Sequence, residues 1–368
     1  MVIEPLIPSA ARTRATRRVM LGHVVVGDDT VPVIAGPCAV ESGYVAHAEA
    51  VSRAGAAALR GCVLKPRTRS DSFQGLGAEG LPLLDEARRV TGRPVVAEPL
   101  APDDIEMLAG HVDALLIGAR SMQNTPLLRA AGRCGMPVIL KRAMSATYDE
   151  WLGAAGYISG GGNDDVILCE RGIRTFETAT RNTLDVSAIA VLRERTDLPI
   201  AVDPSHAAGN AAWVPSLAAA AVAAGADALL IECHPDPQHS VCDAAQAVTP
   251  EVLGRIVQSI DAMRPLSRSI QLDSLTSSRR AIDAVDSVLV QLLEQRAAVV
   301  EVVQRHKTAT GMPLRDATRE HDIVSRLHAL APHLGRDRVH RLMKTIIDEC
   351  VDAAHDDGDG VAMQAVVA

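Results

Sequence analysis

The sequence predicts an α/β chain: a (β/α)8 barrel with an N-terminal β-hairpin, followed by a small three-helix all-α domain. Three observations carry this expectation. Short, continuously apolar runs recur about one strand-plus-helix unit apart, and unbroken apolar character means burial on both faces, hence parallel strands. Polar, chemically loaded residues follow every run, as they would if all strand C-termini met at one mouth. Beyond residue 272 the pattern changes to helical spacing, with no Gly or Pro before Gly311.

Taken in order, residues 19–32 alternate apolar and polar character around Gly27-Asp28-Asp29, a hairpin signal. The apolar runs begin near Val33, Cys62, Pro94, Ala114, Pro137, Val166, Pro199 and Ala228. An open doubly wound sheet is the competing architecture, but it would concentrate chemistry at one switch point rather than after every strand. A linker is expected at 266–271, separating the barrel domain (1–265) from a helical domain (272–356) and a Gly/Asp-rich tail (357–368). In the helical domain, apolar residues recur at Ile282, Val285, Leu289, Leu292, Val300 and Val303. Gly311 and Pro313 end that helix, and shorter ones follow at about 316–330 and 336–356.

Composition bounds the partners. The chain is 48% apolar but only 2% aromatic, so its core must come from Ala, Val, Leu and Ile. A net charge of -8 argues against general binding to nucleic acid or anionic membranes. Seven cysteines in no regular framework suit reduced thiols, hence a cytoplasmic setting. No uninterrupted apolar stretch of about 18 residues is present to span a membrane. Arg12, Arg14, Arg17 and Arg18 precede no apolar segment, so a secretory signal peptide is not expected; a transit peptide is the alternative.

At the expected mouth, Arg60, Lys65, Arg67, Arg120, Lys141, Arg142, Arg171 and Arg174 all stand near strand C-termini. Converging cations in an acidic protein imply a polyanionic substrate carrying phosphate and carboxylate. Cys38, His206, Glu232 and Asp243 follow the first, seventh and eighth strands, neighbours in a closed barrel. A thiolate, an imidazole and two carboxylates suit a divalent transition ion.

These residues sit in motifs that carry a resemblance. Gly36-Pro-Cys-Ala-Val-Glu-Ser42, Lys65-Pro-Arg-Thr68, Ser72-Phe-Gln-Gly-Leu-Gly77, Gly118-Ala-Arg-Ser-Met-Gln-Asn124, Leu140-Lys-Arg-Ala-Met-Ser145, Cys169-Glu-Arg-Gly-Ile-Arg-Thr-Phe-Glu177 and Asp203-Pro-Ser-His206 occur in that order. Over about residues 19–260 the chain resembles 3-deoxy-D-arabino-heptulosonate 7-phosphate (DAHP) synthases, in the compact branch related to 3-deoxy-D-manno-octulosonate 8-phosphate synthase. The resemblance implies that Cys38, His206, Glu232 and Asp243 hold Mn²⁺, Fe²⁺, Co²⁺ or a similar ion. It implies that Arg60, Lys65, Arg120, Lys141 and Arg171 grip phosphoenolpyruvate, and that Arg67, Thr68 and Asp203 contact erythrose 4-phosphate. Lys65, between the two substrates, is the expected proton donor to the new alkoxide. Lys-Pro-Arg-Thr is the four-carbon-sugar signature; Arg69-Ser70-Asp71 then stands where the family usually has Ser-Pro-Tyr.

On a helical wheel Arg296 and Lys307 fall within the apolar arc of Ile282, Val285, Leu289 and Val303, a costly placement unless they are paired or bind an anion. Arg279 and Lys307 are about 42 Å apart along one helix at ~1.5 Å per residue, so one small ligand cannot touch both in a single chain. An intertwined homodimer through this domain, with one arginine crossing over, resolves this, and a homotetramer is a further option. Residues 272–356 resemble the all-helical chorismate mutase family at Arg279, Arg296, Lys307, Asp316, Arg319 and Glu320. The resemblance implies that the arginines hold the carboxylates of chorismate and that Lys307 donates to its ether oxygen. The family's serine and glutamine in the last helix are replaced by Cys350 and Ala354. Two readings therefore stand: a second catalytic domain making prephenate, or a module sensing chorismate or prephenate.

Overall fold

The computed structural model describes residues 2–3, 15–67, 69, 71–267, 270–271 and 274–364; side chains are described for 15–67, 69, 71–263, 274–276, 278–279 and 281–354. The chain divides into two compact units, Met1–Ser278 and Arg279–Ala368.

The first unit is a closed parallel barrel of the TIM type. Strands β1 (Val19–Leu21) and β2 (Val24–Val26) form an antiparallel hairpin. The eight barrel strands are β3 (Val33–Gly36), β4 (Ala58–Arg60), β5 (Val95–Ala97), β6 (Ala114–Ile117), β7 (Val138–Lys141), β8 (Val166–Glu170), β9 (Ile200–Val202) and β10 (Ala228–Glu232). They pair in sequence order, and β10 returns to β3 with Glu232 opposite Gly36. Every residue of these strands is buried, which is why their sequences read as unbroken apolar runs rather than alternating ones. Ile34, Val96, Leu116, Ile139, Ile167 and Leu230 cluster in the barrel interior with Val19, Leu21 and Val26 of the hairpin, which packs against this inner cluster.

Outer helices α1 (Tyr44–Arg53), α2 (Leu81–Thr91), α3 (Pro102–Leu108), α4 (Thr125–Arg133), α5 (Tyr148–Ser159), α6 (Ser187–Arg195), α7 (Pro204–Ala208), α8 (Val214–Ala224) and α9 (Pro250–Ser267) complete the unit. Local chemistry sets their starts. Thr147 and Glu150 form a reciprocal capping box on α5, with Glu150 N donating to Thr147 Oγ1 at 3.2 Å and Thr147 N to Glu150 Oε2 at 2.8 Å. Asp203 caps α7 by accepting from His206 N at 2.9 Å, which fixes the backbone that presents His206.

Four expectations need correction. The hairpin turns at Gly22-His23, not at Gly27-Asp28-Asp29; Gly22 has φ +58, a conformation that favours glycine. The second barrel strand is Ala58–Arg60 rather than a run from Cys62, so Arg60 projects from the strand itself. Helix α9 runs to Ser267, into the expected linker; a two-residue pair, Val2–Ile3 with Ile270–Gln271, lies beyond it. Finally, the last helix reaches Gln364, well into the span read as a tail.

The second unit contains α10 (Leu275–Thr310, entering from the first unit), α11 (Ala317–Leu327) and α12 (Arg336–Gln364). Helix α10 stops at Gly311, φ +67. The unit's described core is thin, with Val288, Val324, Val339, Ile347 and Cys350 among its buried members, and it leaves Ile282, Leu289, Leu292, Val299 and Val302 on α10 more than half exposed. Among the described residues no helix is long and apolar enough to cross a membrane.

Candidate active site

Closure of the barrel brings Cys38, His206, Glu232 and Asp243 together, with one potential ligand atom from each lying within 4.8 Å of all the others. Cys38 Sγ donates to Asp243 Oδ2 at 3.0 Å. His206 Nε2 lies 3.4 Å from Glu232 Oε1 and 3.9 Å from Asp243 Oδ2. The other ring nitrogen, Nδ1, is 2.7 Å from Asp203 Oδ2, so Nε2 is the atom turned to the set. Such a carboxylate behind a ligating imidazole orients it and raises its basicity. Burial holds the His206 pKa down to about 4, so the imidazole is neutral at physiological pH and has a lone pair to give. Burial also works against the Asp243 carboxylate, but the Cys38 hydrogen bond and the nearby Arg181 charge override it and keep its pKa below the ordinary range. Glu232 pairs with Arg60 and accepts from Gln246 Nε2 at 2.7 Å; a carboxylate has about four lone-pair sites, so these contacts leave room for an ion. By donor type and spacing the residues present fit a divalent transition ion, with Cys38 still to lose its thiol proton on binding.

His206 and Asp243 also line a cavity of about 440 Å³ with Arg60, Lys65, Arg67, Arg69, Arg120, Lys141, Arg171, Arg174 and Arg181, nine cations against only Glu98 and Asp243 as acids. That concentration of charge in a chain of net charge -8 gives the cavity a strongly positive lining, of the kind that attracts anions. Two of its guanidinium donors lack partners: Arg60 Nε and Arg171 NH1 are buried and make no hydrogen bond. Burial depresses the Arg171 pKa, with Asp203 only partly compensating. Buried guanidinium N–H groups normally meet protein, ordered water or a ligand. For Lys65, burial disfavours the charge, yet Cys38, Cys62 and Glu98 more than offset it, and its pKa is raised. Its ammonium lies 3.9 Å from Glu98.

The remaining expected residues fall as follows. Asp203, expected to contact the aldose phosphate, is fully buried and does not line the cavity; it accepts from Lys141 Nζ at 2.5 Å. Arg142 is not in the lining either. It is buried against Glu170 (3.0 Å) and Asp185 (2.8 Å), a scaffold ion network. Thr68 lies outside the described residues. The departure Arg69-Ser70-Asp71 has a local consequence: Arg69 forms a two-pronged pair with Asp71 at 3.0 and 2.7 Å. Glu98, Arg181, Asn182 and Gln246 were not foreseen as site residues. Glu98 stands at a strand end, where its placement was a usable signal; Arg181 and Asn182 come from the 171–186 loop, which has no periodicity to read.

In the helical unit, Arg296, Lys307, Asp316, Arg319 and Glu320 line one cavity of about 360 Å³ together with Gln304 and Arg315. Arg279 is not part of that lining. Lys307 Nζ donates to Leu314 O at 2.8 Å, and Arg315 grips Glu320 at 2.9 and 3.0 Å. Gln304 Oε1 is buried without a donor. Cys350 is buried, 6% exposed.

The fold and this mouth define a class: a parallel barrel whose mouth sets a cation-lined cavity beside a thiol, an imidazole and two carboxylates spaced as a metal ion would need them. Residues 10–266 match the DAHP synthetase I family and residues 278–355 match chorismate mutase type II. The phospho-2-dehydro-3-deoxyheptonate aldolase of Thermotoga maritima is 46% identical over 242 residues, 65% of this chain and 72% of that protein. The 2-dehydro-3-deoxyphosphooctonate aldolase of Syntrophotalea carbinolica is 32% identical over 259 residues, covering 64% of this chain and 92% of the relative. A crystal structure of the T. maritima DAHP synthase superposes with a TM-score of 0.64 at 45% identity, covering 67% of this chain and 72% of that one. The chain belongs to the DAHP synthetase I family and carries a C-terminal chorismate mutase type II domain.

Proposed function

We propose that the barrel condenses phosphoenolpyruvate with D-erythrose 4-phosphate to DAHP and phosphate, the first step of the shikimate pathway, in the cytoplasm. The observation that carries this reading is the gathering of nine cations, Arg60 and Arg171 among them, around one cavity that also reaches His206 and Asp243. Arg60, Lys65, Arg120, Lys141 and Arg171 hold the phosphate and carboxylate of phosphoenolpyruvate. Arg67 and Thr68 take the phosphate of the aldose. Cys38, His206, Glu232 and Asp243 hold a divalent ion such as Mn²⁺, Fe²⁺ or Co²⁺, which when bound supplies Lewis-acid polarisation of an aldehyde oxygen. The cations orient the enol ether so that its C3 attacks the aldehyde carbon. Lys65 gives a proton to the new alkoxide. Water adds at C2, and the C–O bond to the phosphate then breaks. Asp203 acts through its neighbours, fixing Lys141 and the His206 ring rather than touching the sugar. A coupled assay with phosphoenolpyruvate and either erythrose 4-phosphate or arabinose 5-phosphate tests the substrate reading; preference for the five-carbon aldose would overturn it.

For the helical domain, the shared lining of Arg296, Lys307, Asp316, Arg319 and Glu320 supports a chorismate pocket. Arg279, outside that lining, reaches the pocket of a second chain in a homodimer, which also covers the exposed apolar stripe of α10. Catalysis there is electrostatic, with Arg296 and Lys307 placed for the breaking C–O bond. Cys350 and Ala354, standing where mutases carry a serine and a glutamine, favour a second reading: a pocket that binds chorismate or prephenate mainly to regulate the barrel. Prephenate formation at the uncatalysed rate, together with chorismate binding, selects the regulatory reading.

A further inference from the structure

Beside the ligand set, Glu41, His47 and His234 form a second group whose potential ligand atoms lie within 4.8 Å of one another. By composition it could pass for another metal site, but its hydrogen bonds say otherwise. His234 Nδ1 accepts from Asp236 N at 2.9 Å, so the proton of the neutral ring sits on Nε2. That proton points at Glu41 Oε1, 2.5 Å away. Neither ring nitrogen of His234 then has a lone pair free for an ion. The second oxygen of Glu41 accepts from Val241 N at 3.0 Å. The His47 ring packs edge-on against His234, with centroids 4.4 Å apart, and shields the pair.

The contacts join two loops that each carry a ligand. Glu41 stands three residues after Cys38, and Val241 stands two before Asp243. Asp243 has φ 55, the one side-chain-bearing residue in the left-handed region among those described. A ligand on backbone of that kind stays in place only where the surroundings hold it. We propose that Glu41 and His234 are positioning residues: a clamp that presets the approach of Cys38 to Asp243 and so sets the affinity for the divalent ion. This rests on the reading of Cys38, His206, Glu232 and Asp243 as the ion site.

The test is a Co²⁺ titration of the chelated full-length chain, followed by the thiolate-to-cobalt charge-transfer absorption. Calorimetry of phosphoenolpyruvate binding to the metal-free protein and thermal unfolding run alongside. Glu41→Gln keeps one acceptor but sets an amide NH2 against either His234 Nε2–H or Val241 N–H; it should weaken Co²⁺ binding by about 10-fold, the low end of what losing a hydrogen-bond partner of a ligand itself costs. Phosphoenolpyruvate affinity should not move, and excess Co²⁺ should restore the absorption. His234→Leu should behave like Glu41→Gln, and His234→Gln, which keeps a donor, like the parent; this pair carries the comparison if Glu41→Gln does not fold. Unchanged Co²⁺ affinity overturns the clamp. So does a parallel loss of phosphoenolpyruvate affinity, which marks general structural damage, or a second bound ion that Glu41→Gln removes. A parent protein with no charge-transfer band, or a band that survives Cys38→Ser, overturns the ion-site reading instead.

Discussion

Replacing Arg171 by Met separates binding from folding. The Arg171 guanidinium is buried, its NH1 has no hydrogen-bond partner, and burial already depresses its pKa. In the ligand-free protein this charge is therefore a liability, since a buried ion without a matched partner costs free energy. Methionine fills much of the same volume without that cost. The metal-free variant should accordingly be as stable as the parent, or more stable by about 1–2 kcal/mol, in line with relieving one unsatisfied buried donor. On the proposed function, phosphoenolpyruvate should lose a charge-assisted contact worth about 2–3 kcal/mol, which corresponds to an affinity about 30- to 150-fold weaker at 1.4 kcal/mol per factor of ten. Calorimetric titration with phosphoenolpyruvate and thermal unfolding of the same samples give both quantities. A variant that loses stability while binding the ligand normally would refute the reasoning, because Arg171 would then be part of the scaffold.

Other outcomes follow from the same geometry. Metal affinity should rise with pH by about one log unit per pH unit from pH 6 to 8. The Cys38 thiol must lose a proton on binding, its pKa being raised by the neighbouring Cys242 and by burial, whereas His206, held down to about 4, is already neutral; a flat profile removes Cys38 from the ligand set. Gly36→Ala should destabilise the barrel by about 1–3 kcal/mol, as overpacking does, because the added carbon would sit 2.5 Å from Arg60 O on the adjacent strand; an unchanged melting temperature contradicts this. Leu289→Asp, on the exposed face of α10, should convert a homodimer to monomers in analytical ultracentrifugation, and an unaltered sedimentation coefficient places the dimer contact elsewhere.

The barrel was legible because its strands are buried on both faces. The Ala228–Glu232 run needs no interpretation, since all five residues face protein. The second strand was misread for a related reason: Cys62 and Val63 continue the apolar stretch past Arg60, and both are fully buried beyond the strand's end. The hairpin turn was misplaced because Gly27-Asp28-Asp29 has the richer turn composition, although Gly22-His23 is the one that lets Leu21 and Val26 join the inner cluster.

In the site, residues on strands or within a few positions of strand ends could be found from order alone. Closure then brings Cys38 to Asp243, 205 positions away in sequence. What order could not show is which charges pair with one another. Arg142 and Lys141 are adjacent, yet the first is spent on Glu170 and Asp185 while the second lines the cavity. Lys141 closes its strand and Arg142 follows it, and only the location of acidic partners decides which of the two is left to the cavity. The same holds for Glu41 and His234, whose bond links loops 193 positions apart.

The central claim is that the ion site and the anion site are one place. Its most direct measure is the ³¹P relaxation of phosphoenolpyruvate in the presence of the full-length protein loaded with Mn²⁺. The account predicts strong paramagnetic broadening of the phosphorus signal, reversed by competing phosphate-ester ligand and lost when Cys38→Ser removes the ion. Stoichiometric binding of both Mn²⁺ and phosphoenolpyruvate with an unbroadened phosphorus line would contradict it.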